Sequence, residues 1–256
     1  MDFTEIFLSN WNIILSFLAI AILYASVGFG GGSSYLAILA LTSLAYTEIR
    51  ATALICNIVV VTNSYILYHQ KGYYNYRKVL PLVLISIPMA FIGGYIHIEE
   101  TLFFILLGVT LFIASIAMLT NKQDTQKDAI QKKNIATNLS IGGIIGFVSG
   151  LVGIGGGIFL APLLHLTKWD QSKKIAATAS IFILVNSIAG LSGQFSNPSL
   201  SLNLSLVSVL ACTTFIGGQI GTRLSMKFIN PISLKRATGI LILFVSIKIL
   251  VKHLPV

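Results

Sequence analysis

The chain is a succession of apolar runs separated by short polar loops. Ten runs stand out: 12–27, 33–44, 51–69, 79–96, 102–119, 137–152, 157–167, 175–195, 202–222 and 236–251. A helix that crosses a bilayer needs about 20 apolar residues, with a range of roughly 17–25. On that measure 51–69, 79–96, 102–119, 175–195, 202–222 and 236–251 read as spans, and the other four read as too short. The short four form two pairs, 12–44 and 137–167. Each pair is joined by a glycine cluster, Gly28-Phe29-Gly30-Gly31-Gly32 and Gly153-Ile154-Gly155-Gly156-Gly157. The expected fold class is all-α: a polytopic integral membrane protein whose two halves each hold a glycine-broken re-entrant hairpin and three spanning helices.

The halves resemble each other in order. Besides the glycine clusters, Ala51-Thr52-Ala53 matches Ala177-Thr178-Ala179, and Asn63-Ser64 matches Asn186-Ser187. Ile92-Gly93-Gly94 matches Ile216-Gly217-Gly218, and Gly108 with Ser115 matches Gly239 with Ser246. Internal repetition of this kind marks a duplicated architecture. We therefore divide the chain into a first repeat, 1–120, a polar linker, 121–136, and a second repeat, 137–256. Three spans per repeat is an odd number, so the second repeat is expected to be inverted relative to the first, the plan of many secondary transporters.

Charge sets the expected sidedness. If both glycine-joined pairs crossed the membrane, Lys and Arg would divide 8 to 8 between the two sides. If the second pair is re-entrant, loops 70–78, 120–136, 166–175 and 223–236 share one side with 3, 4, 3 and 4 basic residues, only Arg50 and Lys252 face the other, and Lys248 lies within the last helix. Charge does not fix the first pair, which the symmetry of the halves makes re-entrant too. The 14-to-2 division fits the positive-inside rule. It puts the linker in the cytoplasm and both termini outside a cell membrane. The first apolar run has no basic segment or small-residue cleavage site before it, so it reads as a retained segment.

Composition narrows the function classes. Hydrophobic residues make up 55% of the chain and charged residues only 10%, with a mean hydropathy of +0.87. An average soluble domain is about 25% charged. A soluble enzyme, a disordered regulator and a disulfide scaffold are excluded. The net charge of +9 lies in the loops, so it points to membrane topology and not to nucleic acid. Cys56 and Cys212 lie in apolar runs without a CxxC or Cys/His cluster and read as packing residues. No HExxH, GxGD or other catalytic set is present, so we expect no enzyme activity, metal or cofactor. The tyrosines Tyr73, Tyr74 and Tyr76 beside Lys71, Arg77 and Lys78 read as an interfacial anchor. His69, His97, His165 and His253 read as helix-end residues. The sequons at Asn138 and Asn203 are short, common patterns.

The G-x-G-G-G pattern in each half, followed by an Ala-Thr helix and a Gly-Gly helix, resembles the TauE/SafE family of membrane transporters. The second half carries it most fully, in GLVGIGGGIFLAPLL, AATASIFILVNSIAG and GGQIGTRL. The resemblance implies movement of sulfite, sulfonates or related sulfur-containing anions. One position departs from the pattern: Pro162 follows the second cluster, but Ala37 stands at the matching place after the first.

The glycines are the expected chemistry. Irregular backbone at membrane depth is tolerated only where protein or water covers it. A helix restarting after each cluster presents free N–H groups and a partial positive charge, which suits an anion. We therefore expect a small anionic solute at Gly30, Gly31, Gly32, Ser33 and Ser34, and at Gly155, Gly156 and Gly157. The serines stand where an N-cap or a ligand hydroxyl would sit. Asn63, Ser64, Asn186 and Ser187 lie inside spanning helices, where polar residues are costly and often functional. Thr52 and Thr178 are further candidates, and Asn57, Ser180 and Gln194 share the same helices. Gly93-Gly94 and Gly217-Gly218 read as packing or hinge positions. All eight acidic residues are read as lying in loops or terminal stretches, and the anion site needs no buried Lys or Arg. An anion channel built on the same hairpins, or a structural membrane protein, is the alternative. The solute, its direction and coupling, and the oligomeric state are open.

Overall fold

The computed structural model describes residues 10–26, 29–120, 135–167, 169–196, 200–224 and 231–253. Gly28, Lys168 and most of the linker lie outside the described residues. The described chain is helical throughout, with ten helices and no strand. The first half holds α1 (Trp11–Ser26), α2 (Gly32–Leu39), α3 (Tyr46–Gln70), α4 (Tyr76–Tyr95) and α5 (Glu100–Thr120). The second holds α6 (Ile135–Val152), α7 (Gly157–Leu166), α8 (Ser172–Phe195), α9 (Leu204–Leu224) and α10 (Pro231–His253). The protein is a polytopic membrane protein. Six of its described helices, α3, α4, α5, α6, α8 and α9, are long and apolar enough to span.

Two boundaries differ from the sequence expectation. The run 137–152 extends to an 18-residue helix beginning at Ile135, so α6 reaches spanning length. The helix expected over 33–44 ends at Leu39, and Ala40–Ser43 form a turn.

Glycine controls how the helices meet. A methyl group at Gly142, Gly146 or Gly150 of α6 would strike the backbone of Leu82, Ser86 or Ala90 on α4. Those contacts advance together along both helices, so α4 and α6 run in the same direction with their backbones touching. Gly217 and Gly221 of α9 meet Leu18 and Ile22 of α1 in the same parallel fashion. The α3 contacts with α9 also advance together, from Cys56 hydrogen-bonded to Thr214 to Val60 against Gly218. By contrast α3 and α8 are antiparallel: Asn57 bonds Ser187, and Leu54 lies against Gly190. Close backbone approach through small residues is how helices associate where lipid offers no hydrophobic drive.

Two hydrophobic clusters flank the centre. One gathers Phe17, Tyr35, Leu36, Ile49, Phe103, Leu107 and Leu210, with Phe17 stacked on Tyr35 at 4.6 Å. The other gathers Val79, Leu82, Leu160, Leu164, Trp169 and Phe182. At one end Tyr65, His69, Tyr74 and Tyr76 form a ring cluster, beside an edge-on pair of Tyr68 and Tyr73. The Tyr74 hydroxyl lies 2.8 Å from Ser180 Oγ. Burial pushes the Tyr74 phenol above its ordinary range, against the opposing pull of that hydrogen bond.

Candidate functional site

The two glycine clusters break their helices by the same device. Gly31 (φ 90°) caps α2, and Gly156 (φ 83°) caps α7, both in the left-handed region. Gly153 and Gly155 share that conformation, which glycine adopts without steric cost. The expectation that Ser33 or Ser34 supplies the N-cap is corrected. Gly31 holds that position without a side-chain bond, and its carbonyl accepts from the N–H groups of Ser34 and Tyr35. Both serines are buried in the first turn of α2. The Ser34 hydroxyl pairs with Tyr24 OH on α1 at 2.8 Å.

The two breaks meet, and Asn57 joins them. Its Oδ1 accepts from Gly32 N–H at 3.1 Å. Its Nδ2 donates to Ser187 Oγ at 2.9 Å and approaches Ile154 O at 3.4 Å. A Cβ at Gly32 would lie 2.6 Å from Ile154 O, and one at Gly155 would lie 2.6 Å from Ser187 Oγ. The tips of α2 and α7 therefore share one polar contact zone deep in the bundle. Within the second break, Gly157 packs on Ile183 while Gly155 touches both Asn57 and Ser187.

The remaining candidates occupy other levels. Asn63 Oδ1 accepts from Gln219 Nε2 on α9 at 3.0 Å, while its own Nδ2 is buried without a partner. Asn186 Nδ2 donates to Ser86 Oγ on α4 at 3.0 Å and to Phe182 O at 2.8 Å. Thr178 bonds back to Lys174 O within its own helix. Thr52 and Ser64 are buried with unpartnered hydroxyls. The sequence match of Asn63-Ser64 to Asn186-Ser187 is three residues out of register with that of Ala51 to Ala177. Both α3 and α8 run unbroken between these positions, so the two asparagines are not structural counterparts.

The structure singles out one unranked candidate, Asn57, and adds one residue that the sequence reading passed over, Arg50. Asn57 shares a helix with the stronger-looking Asn63 pair, and only the meeting of the two breaks singles it out. Arg50, read as a loop charge, lies inside α3 because that helix begins at Tyr46, five residues before the apolar run. The interior thus contains a buried arginine that the sequence argument did without. Glu48, read as a loop residue, also lies in the first turn of α3, and its Oε1 accepts from Asn203 N–H at 2.9 Å. Among the described residues no group of three or more His, Cys, Asp or Glu side chains could hold a metal ion.

The profile of the sulfite exporter TauE/SafE family matches residues 13–249, nearly the whole chain. The protein belongs to the TauE/SafE family. A probable membrane transporter, y4hK, of Sinorhizobium fredii is 30% identical over 93% of this chain and 97% of the relative. The probable membrane transporter MJ0441 of Methanocaldococcus jannaschii is 25% identical over 66% of this chain and 68% of its own. YunE of Bacillus subtilis, also a probable membrane transporter, is 25% identical over 69% and 71%. No solved structure matches this chain. As a TauE/SafE member it is a multi-pass membrane transporter, and the paired breaks are the place in its fold where backbone polar groups of both halves converge.

Proposed function

We propose that the protein exports, or facilitates the movement of, a small sulfur-containing anion such as sulfite, a sulfonate or thiosulfate. The solute binds where the tips of α2 and α7 converge, near the bilayer midplane. The observation that carries this reading is the Asn57 junction, which bonds the α2 tip and reaches both Ile154 and Ser187 of the second half. Helix N-termini offer N–H groups and partial positive charge to an anion. The α7 tip begins its internal bonding only at Phe159 and Leu160, so the Gly157 and Ile158 N–H groups precede the helical ladder. The site residues are those of both breaks, with Asn57, Ser187, Thr52 and Thr178 on the neighbouring helices; Asn63, Ser64 and Asn186 line the flanking path.

Helix directions support an inverted duplication. α1 runs with α9, and α9 with α3, so α1 and α3 point the same way and α2 must return between them. α8 is antiparallel to α3. It runs with α4, from Ser86–Asn186 to Gly94–Gly190, and α4 runs with α6. Thus α6 and α8 share a direction opposite to that of α1 and α3, and α7 returns between them. On this reading the four basic loops share the cytoplasmic end. The bond between Lys78 and Asp170 spans two of them at 2.8 Å.

Among the described residues no carboxylate lies at the level of the junction, so an acid–base proton relay finds no support there. Anion efflux from a negative interior gains about 2.3 kcal/mol per charge per 100 mV. The test is flux of radiolabelled sulfite, sulfoacetate and thiosulfate in proteoliposomes under an imposed potential. Saturable, voltage-driven flux of at least one is expected. Flux that follows a proton gradient and ignores voltage, or no flux of any anion, overturns the reading. Single-channel currents far above carrier turnover would convert it to an anion channel.

A further inference from the structure

We infer that Arg50 and Gln194 form a second oxyanion subsite, on the outer side of the glycine junction. The inference rests on the reading above that the solute is an oxyanion, and adds to it a specific charged contact. Arg50 is only 2% exposed. Its Nη2 donates to Gly150 O at 3.1 Å and to Gly93 O and Gly94 O at 3.4 Å each. Its Nε is buried without any partner. Among the described residues no carboxylate lies within ion-pair distance of it; Asp170 pairs with Lys78 and Lys174, and Glu48 accepts from Asn203. The guanidinium is thus a buried positive charge with only carbonyl partners.

Gln194 supplies the second observation. It is 5% exposed, and both its Nε2 and its Oε1 are buried without a partner. Antiparallel packing of α3 and α8 sets it at the level of Arg50. Asn57 faces Ser187, and three residues back along α3 and three forward along α8 Leu54 faces Gly190. A further four residues each way, one helical turn, reach Arg50 and Gln194. Gly193, beside Gln194, packs on Gly94, whose carbonyl accepts from Arg50. The unpartnered Arg50 Nε and the unpartnered Gln194 amide therefore stand at one level, and the stem of Arg50 lies against Gly153 at the second break.

Carbonyls near the ends of α4 and α6 attract a cation, so Arg50 also ties those helices together. That role uses Nη2 alone, at distances longer than the 2.7–2.9 Å of charge-assisted bonds. It leaves Nε unsatisfied, which is expensive for a buried group. A tether needs only a point charge, whereas the planar fork of Arg fits two oxygens of a sulfonate, sulfite or carboxylate. The pair is also one-sided. In the second half the position before Ala177, matching Arg50 before Ala51, is Ala176. Tyr68 lies as far beyond Thr52 as Gln194 lies beyond Thr178. Along α3, Arg50 stands seven residues, about 10 Å, from Asn57, on the side away from the basic loops. A departing anion would meet it after leaving the junction.

The experiment uses the full chain in lipid nanodiscs. Thermal stabilisation by sulfite and by methanesulfonate is titrated at ionic strength matched with chloride, and sulfite flux is measured in parallel. The wild type is expected to show saturable, oxyanion-specific stabilisation. Gln194→Met and Arg50→Gln should raise the half-saturating concentration at least tenfold, with Arg50→Lys intermediate. If Arg50→Gln does not fold, the other two variants decide. Unchanged half-saturation in Gln194→Met and Arg50→Lys, even with a lower Tm in Arg50→Gln, would make Arg50 a helix tether only and overturn the inference while wild-type sulfite flux keeps the transport reading. A wild type that oxyanions do not stabilise beyond chloride also overturns it. Stabilisation lost in the variants without wild-type flux of any anion would sustain the subsite and remove the transport reading.

Discussion

Asn57 Nδ2 and Ser187 Oγ lie 2.9 Å apart across the boundary between the two halves of the chain. The same amide holds Gly32 N–H through Oδ1. One side chain thus fixes the first break to the second. Replacing it with leucine leaves Gly32 N–H and the Ser187 hydroxyl without this partner in a buried place. Each such group costs about 1–3 kcal/mol. Asn57→Leu is expected to destabilise by about 2–4 kcal/mol on that basis, read as a lower Tm in detergent. Asn57→Asp keeps the acceptor for Gly32 but adds negative charge at the junction. It should fold and lose anion flux at least tenfold; flux equal to wild type would detach the junction from the solute path.

The left-handed caps give a second prediction with an internal control. A Cβ at Gly156 would lie 2.8 Å from the Phe182 ring and 3.2 Å from Ile145, in addition to the unfavourable φ of 83°. Gly72, in the loop after α3, has φ 67° but nothing within 4 Å of such a Cβ. Gly72→Ala isolates the backbone strain, about 1–2 kcal/mol. Gly156→Ala should cost clearly more, and Gly31→Ala, with Ile20 and Tyr35 at 3.0–3.2 Å, should resemble it. Equal melting temperatures for Gly72→Ala and Gly156→Ala would show that the second break relaxes around a methyl group.

The described helices, the two glycine breaks and the packing glycines were legible because each leaves a local mark. Apolar runs end at polar loops, and a break or a backbone contact needs glycine. Register and cross-chain contact left no such mark. Asn63-Ser64 and Asn186-Ser187 look like a repeat in sequence, yet the unbroken helices α3 and α8 place them at different levels. Arg50 looked like a loop charge because α3 extends beyond its apolar run into Tyr46-Thr47-Glu48. Polar residues in that added turn are accommodated by tertiary partners, Asn203 for Glu48 and the α4 and α6 carbonyls for Arg50, which no local pattern reveals.

The parallel contacts of α4 with α6 and with α8 should tolerate no side chain at their narrowest points. A Cβ at Gly150 would overlap Ala90 O, and one at Gly94 would overlap Gly190 O. Backbone cannot move aside as a rotamer can, and overpacking typically costs about 1–3 kcal/mol or more. Gly150→Val and Gly94→Val should therefore reduce the yield of monodisperse protein sharply. Gly143→Ala is the comparison, since its neighbours are the side chains of Ile85 and Met89; it should be recovered near wild-type yield. Normal yield of Gly150→Val would argue against direct backbone contact between α4 and α6.

The Lys78–Asp170 pair tests the pH behaviour of the basic end. Burial of the Asp170 carboxyl acts to raise its pKa. The Lys78 hydrogen bond, the Gln171 N–H and the charges of Lys78 and Lys174 outweigh it and hold the carboxyl below its ordinary value. A group whose folded pKa is depressed binds its proton more weakly folded than unfolded. Its stabilisation is therefore complete above the unfolded Asp value of about 3.9 and is lost as pH falls through the lower folded value. The lysine is partly exposed, so the pair should contribute about 1 kcal/mol, the upper end for such sites. Asp170→Asn should lower Tm at pH 7, and the difference from wild type should vanish as the medium is acidified below about pH 3.9. A difference that persisted unchanged in acid would mean that the loss comes from packing at Trp169, over which the Lys78 ammonium sits at 5.4 Å, and not from the carboxylate charge.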